Sequence, residues 1–226
     1  MDAINPRTTA PLPLPAITVN PNAASPSRHT FVARVGAVAA FAIAIGVLAG
    51  WLFNVPSLRS LGPADQAATN PTAGLLFVLA AVALWLATFQ REKYGRTIRL
   101  LALAVFGASL AMFVDAISEH SVGLDGILFG DAMRKTGDGR SNHIASVTAA
   151  ALVLYSLAML VLVRKNARVE SAQAALLSNL TLAGTALLAF LYKAGWFDSI
   201  GAAMRMARPT AFGLTFLSLG ALFLRP

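Results

Sequence analysis

The sequence predicts an all-α polytopic membrane bundle of six transmembrane helices built from three repeated helical hairpins. Three observations carry that expectation. Hydrophobic residues make up 57% of the chain, charged residues only 12%, and mean hydropathy is +0.66, whereas a soluble domain carries roughly 25% charged residues. Apolar runs of about twenty residues, the length that crosses a hydrocarbon core about 30 Å thick, recur along the chain. A Thr-Ala phrase opens every second run, at Thr72-Ala73, Thr148-Ala149 and Thr210-Ala211, spaced 76 and 62 residues apart. Leucine follows four and twelve positions after each threonine: Leu76 and Leu84, Leu152 and Leu160, Leu214 and Leu222.

Residues 1–30 stand apart as a proline-rich arm. Pro6, Pro11, Pro13, Pro15, Pro21 and Pro26 break any helix, and no apolar core long enough for a secretory signal is present. This composition favours a disordered tail, or an extended arm that orders on a partner. Residues 31–226 form the six-helix domain. Its apolar runs span about Phe31–Phe53, Thr72–Phe89, Ile98–Ser118, Ser146–Val163, Ala174–Tyr192 and Thr210–Leu224. Each must be helical, because a span in lipid satisfies its backbone hydrogen bonds internally. The sixth is the shortest and crosses only with added depth from residues 204–209 or a locally thin bilayer.

Charge placement predicts the orientation. With the N-terminus inside, the inner segments hold Arg7, Arg28, Arg34, Arg91, Lys93, Arg96, Arg99, Arg164, Lys165, Arg168 and Arg225. Their acids are only Asp2, Glu92 and Glu170. The outer segments mix bases with seven acids. Basic residues concentrated in short inner loops place both termini in the cytoplasm. The pI of about 10.8 then calls for anionic lipid at the inner surface rather than nucleic acid.

Each Thr-Ala phrase falls where the chain enters the membrane from the outer side. Asn70-Pro71-Thr72 reads as an N-cap followed by proline in the first turn, where its missing N–H costs nothing. Arg208-Pro209-Thr210 repeats the proline, and Ser146-Val147-Thr148 replaces it with hydroxyls able to cap. These are helix-start signals. A functional alternative gathers the three hydroxyls around one outer pocket. Small residues predict close helix packing within the chain: Ala42, Gly46 and Gly50; Ala104, Gly107, Ala108 and Ala111; and Gly184 among Ser178, Asn179, Thr181 and Thr185. Asn179 is expected to find an interhelical hydrogen bond, and the Asn179-Leu180-Thr181 sequon lies inside the membrane.

Catalytic chemistry is sparse. With no cysteine there is no disulfide, thiolate metal site or Cys nucleophile. His29, His120 and His143 all lie outside the middle of the spans, where axial haem ligation would want one. The outer loop of about residues 119–145 holds His120, Asp125, Asp131, Asp138 and His143, without metal-ligand spacing and beside Arg134, Lys135 and Arg140. Asp115 sits at a helix end within reach of water, and Lys193 follows Tyr192 at an edge where it can snorkel. No nucleophile–base pair, phosphate loop or chain of acids appears. The expectation is a non-enzyme without a metal or cofactor, leaving room for a bound lipid or other hydrophobic ligand.

The strings NPTAGLLFVLAAVALWL, GLDGILFGD and ARPTAFGLTFLSLGALFLRP resemble the membrane-embedded sensor region at the N-terminus of some bacterial sensor histidine kinases and diguanylate cyclases. The resemblance covers residue 31 onward and implies a membrane sensor role in the bacterial inner membrane. In that group a cytoplasmic kinase or cyclase portion follows, whereas this sequence runs to Pro226 without a phosphoacceptor box, ATP-binding glycines or a cyclase signature. Two expectations follow. One is an accessory or structural subunit of a larger membrane complex, of respiratory or photosynthetic type, acting through other integral membrane proteins. The other is a sensor module relaying a signal to a separate or removed output domain. A transporter ranks third, because no run is visibly broken at mid-membrane.

Overall fold

The computed structural model describes residues 28–62, 68–89, 91–118, 145–164, 169–192 and 206–224. The proline-rich arm up to residue 27 and the loop carrying His120 and His143 lie outside the described residues. Seven helices and no strand occur among the described residues: α1 (Arg28–Leu52), α2 (Pro56–Ser60), α3 (Pro71–Phe89), α4 (Arg91–Ile117), α5 (Ser146–Leu162), α6 (Val169–Leu191) and α7 (Arg208–Leu222).

Four of these, α1, α3, α4 and α6, are long and apolar enough to cross a membrane. The six-span expectation is met by length in those four. Helix α5 is apolar but has 17 residues, and α7 has 15, or about 25 and 22 Å at 1.5 Å per residue. Helices α4 and α6 begin several residues before their apolar runs, at Arg91 and Val169. The polar turns REKYGRT and VESAQ contain no proline and are, apart from Gly95, made of adequate helix formers, so the helix continues past the point where the apolar signal stops. The single-turn α2 has no counterpart in the apolar runs.

The six longer helices close into a ring. Helix α1 touches α3, α3 touches α4, and the series continues through α5, α6 and α7 back to α1. Alternate members stand inward: α7 also contacts α3 and α5, and the Tyr155 hydroxyl of α5 donates to the Ala80 carbonyl of α3 at 3.4 Å. Burial follows the same division. Ten of 19 residues are buried in α3, nine of 17 in α5 and nine of 15 in α7, against eight of 25 in α1 and five of 23 in α6. The inner helices are the three that begin with Thr-Ala. Ala73, Ala149 and Ala211, together with Leu76, Leu152 and Leu214, are all buried, so the repeated phrase marks equivalent core positions. Of the leucines twelve positions on, Leu84 is buried, while Leu160 and Leu222 are partly so.

Neighbouring helices approach closely where glycine permits it. A Cβ on Gly36 of α1 would fall 2.5 Å from the Phe216 carbonyl and 3.0 Å from Gly220 Cα of α7. One on Gly220 would meet Leu84 at 2.8 Å, and one on Gly213 would meet the Phe77 ring at 2.9 Å. Helix direction is fixed at both ends of the bundle. His29 stacks with Phe223 at 6.0 Å and Arg34 lies over the Phe89 ring at 4.3 Å, so α1 begins where α3 and α7 finish. Arg208 lies over Phe190 at 5.4 Å, so α6 ends where α7 begins. This creates a basic end around Arg34 and a Thr-Ala end around Thr72 and Thr210.

Candidate functional site

The densest buried polar cluster among the described residues lies at the Thr-Ala end. It starts with the way α1 stops. Asn54 adopts a left-handed conformation (φ 56°), and the Val55 amide donates to the Gly50 carbonyl at 2.8 Å. That six-to-one bond around a left-handed Asn is a Schellman-type stop. The chain then turns at once into α2, whose first residue is Pro56, and comes back over the end of α1. Gly50 makes the return feasible: a Cβ there would sit 2.8 Å from Leu58 Cβ and 3.0 Å from the Arg59 amide nitrogen.

Arg59 occupies the centre of this turn and is only 2% exposed. Its Nε donates to the Gly50 carbonyl at 3.0 Å, one of its terminal nitrogens donates to Asn54 Oδ1, and the guanidinium lies 4.2 Å from the Trp51 ring centroid. Burial lowers its pKa from the ordinary arginine value, yet a guanidinium starts so far above neutrality that it stays charged at neutral pH. Three features offset the desolvation of this cation: the aromatic face, charge-assisted hydrogen bonds and the negative end of the α1 dipole.

The same turn holds the approach to α3 and ties it to α7. The Thr69 amide donates to the Arg59 carbonyl at 2.9 Å, and Trp51 Nε1 donates to the Thr69 carbonyl at 2.8 Å. The Thr69 and Thr210 hydroxyls share a hydrogen bond at 3.2 Å. Asn70 Oδ1 accepts from the Thr72 amide at 2.8 Å, with Pro71 as the first helical residue, the expected N-cap. The result is a continuous polar clasp that joins α1, α2, α3 and α7.

The three predicted threonines divide. Thr210 enters the clasp, Thr72 is held by its backbone, and the buried Thr72 hydroxyl has no partner among the described residues. Thr148 is buried in α5, and no hydrogen bond between described residues links it to the other two. The residue in the N-cap position of α5 is Ala145, without a side-chain cap of its own, and its carbonyl accepts from the Thr148 and Ala149 amides.

The predicted packing residues also divide. Asn179 is fully buried and donates to the Ala151 carbonyl across the α5–α6 interface at 2.8 Å, the expected interhelical bond. Gly50 packs against α2. Ala42 is exposed, and a Cβ on Gly46, Gly107 or Gly184 would meet nothing within 4 Å. Among the described residues, Gly46, Gly107 and Gly184 therefore make no close helix approach. The tight approaches between long helices are at Gly36, Gly213 and Gly220.

Sequence reasoning missed Trp51, Asn54, Arg59 and Thr69. The string Asn54-Val55-Pro56 after an apolar run was the available signal, because Asn followed by proline marks a helix stop. Among the described residues no three His, Cys, Asp or Glu side chains are grouped to hold a metal ion. No family model, curated protein or solved structure matches the chain.

Proposed function

We propose that this chain is a non-catalytic integral membrane protein of the bacterial inner membrane that works through other membrane proteins, as an accessory subunit of a larger complex. It crosses six times as three repeated hairpins, with both termini cytoplasmic and the basic end inside. The short α5 and α7 are the more buried members of the ring, packed on neighbouring helices. The observation that carries the reading is the contrast between glycines. Gly36, Gly213 and Gly220 are filled by neighbours, whereas Gly107 and Gly184 face open space on α4 and α6. Gly107 lies among exposed Leu103, Ala104 and Leu110, and Gly184 beside exposed Thr181 and Thr185. Thr181 and Thr185 bond to carbonyls of their own helix at 3.0 and 2.8 Å. Such small, internally satisfied faces allow another membrane helix to approach closely.

The clasp favours a second reading, a sensor-type module. It couples the end of α1 to the start of α7 through hydrogen bonds, so a disturbance at the Thr-Ala end reaches two hairpins at once. Native purification in mild detergent separates the two readings. An accessory subunit co-purifies in fixed stoichiometry with larger membrane proteins. A lone chain that instead gives stimulus-dependent output when fused to a transmitter contradicts it. Because the chain has no cysteine, single cysteines introduced at Ser118 and Arg164 report sidedness directly. Labelling of Ser118→Cys from outside and of Arg164→Cys only after lysis is the expected result.

A further inference from the structure

We infer that the groove where α3 ends and α4 begins binds the phosphate headgroup of an anionic phospholipid. This goes beyond the proposed role as a subunit and rests only on α3 and α4 being membrane spans. The groove is lined by Trp85, Leu86, Phe89, Lys93 and Tyr94 and has a volume of about 310 Å³. Its walls are aromatic: Trp85 and Phe89 meet at 5.1 Å with a tilt of 53°, and both are exposed. One cation lines it, Lys93, and a second, Arg34, lies on the Phe89 ring at its edge. Lys93 Nζ lies 5.4 Å from the Tyr94 centroid. The Arg34 guanidinium lies 4.3 Å from the Phe89 centroid, and its buried Nε has no acceptor among the described residues.

Two arguments select a lipid phosphate. The first is charge complementarity. Residues 85–99 carry Arg91, Lys93, Arg96 and Arg99 against the single acid Glu92, and Arg34 adds a donor in need of an acceptor. An anion supplies the acceptor that Arg34 Nε lacks among the described residues and a counter-charge for Lys93, whereas a zwitterionic headgroup brings its own positive charge. The second is depth. Phe89 is the last residue of a 19-residue apolar helix, which puts the groove at headgroup level, where tryptophan and tyrosine concentrate in membrane proteins. The aromatic walls suit the glycerol and upper acyl region below a phosphate, a part that a free ion lacks.

The test is native mass spectrometry of the full chain, released from detergent containing equal phosphatidylglycerol and phosphatidylcholine. The inference predicts at least a fivefold preference for retained phosphatidylglycerol. Lys93→Gln with Arg34→Gln should abolish it, and Lys93→Arg should keep it. Lys93 is exposed, so Lys93→Gln alone reduces the preference without a folding defect, as an unchanged melting temperature will show. Equal retention of the two lipids by the wild type overturns the inference, as does a preference unchanged in the double variant. Displacement of phosphatidylglycerol by millimolar inorganic phosphate overturns the choice of a lipid source.

Discussion

The inner helices α3, α5 and α7 and the outer helices α1, α4 and α6 use much the same apolar residues for opposite purposes. Leu84 on α3 is fully buried, whereas Leu110 on α4 is 39% exposed. Gly220 on α7 has no room for a methyl group, whereas Gly107 on α4 has open space. Composition cannot separate them, because lipid is as apolar as the protein interior and gives no polar face to contrast with the core. What separates them is where they sit in the ring. The inner helices specify the bundle, and the outer helices present it to its surroundings.

Exchanging equivalent residues between the two groups breaks or sharpens that contrast. The largest effect is expected at glycine. Gly220→Leu drives a side chain into Leu84 and the Ala33 carbonyl, and destabilises the isolated chain by about 3 kcal/mol or more. Gly107→Leu stays within about 0.5 kcal/mol of wild type. Thermal melts in detergent compare them, and equal melting temperatures would remove the inner–outer distinction. Next is truncation of leucine: Leu84→Ala opens a cavity and costs about 2–5 kcal/mol, and Leu110→Ala costs less than about 0.5 kcal/mol.

The clasp gives the third effect. Arg59→Gln loses the stacking on Trp51 and the charged hydrogen bonds to Gly50 and Asn54, at a cost of about 2 kcal/mol. Loosening around Trp51 will be visible as a red-shifted indole emission, and an unshifted spectrum with unchanged stability would make the clasp ornamental. The smallest is Asn179→Leu. Interhelical hydrogen bonds in membranes average about 0.6 kcal/mol. The Asn179 carbonyl oxygen has no partner among the described residues, so the change stays below about 1 kcal/mol. A larger loss, read from the same melts, would assign Asn179 a role beyond packing.

Much of the fold was legible because apolar length and helix-start signals are local. Asn70-Pro71-Thr72 reads as a cap and is one; the buried alanine and leucine after each threonine were visible as a repeat. Two things were not legible. The clasp depends on Arg59 and Thr69 meeting after a tight turn, and a lone arginine between apolar runs reads as a solvated loop charge. Nor does a glycine reveal its neighbours: Gly36 and Gly46 lie in one helix, but only the first faces α7. The helix register that decides this carries almost no amphipathic signal when both faces are apolar.

The central claim is that the open faces of α4 and α6 hold partner membrane proteins. It is tested most directly by native co-purification of a Gly107→Leu, Gly184→Leu double variant beside the wild type. The account predicts that wild type migrates in a larger assembly, and that the double variant melts at the same temperature but migrates alone. A variant retained in the assembly at wild-type stoichiometry, or a wild-type chain that purifies as a lone monomer, would contradict it.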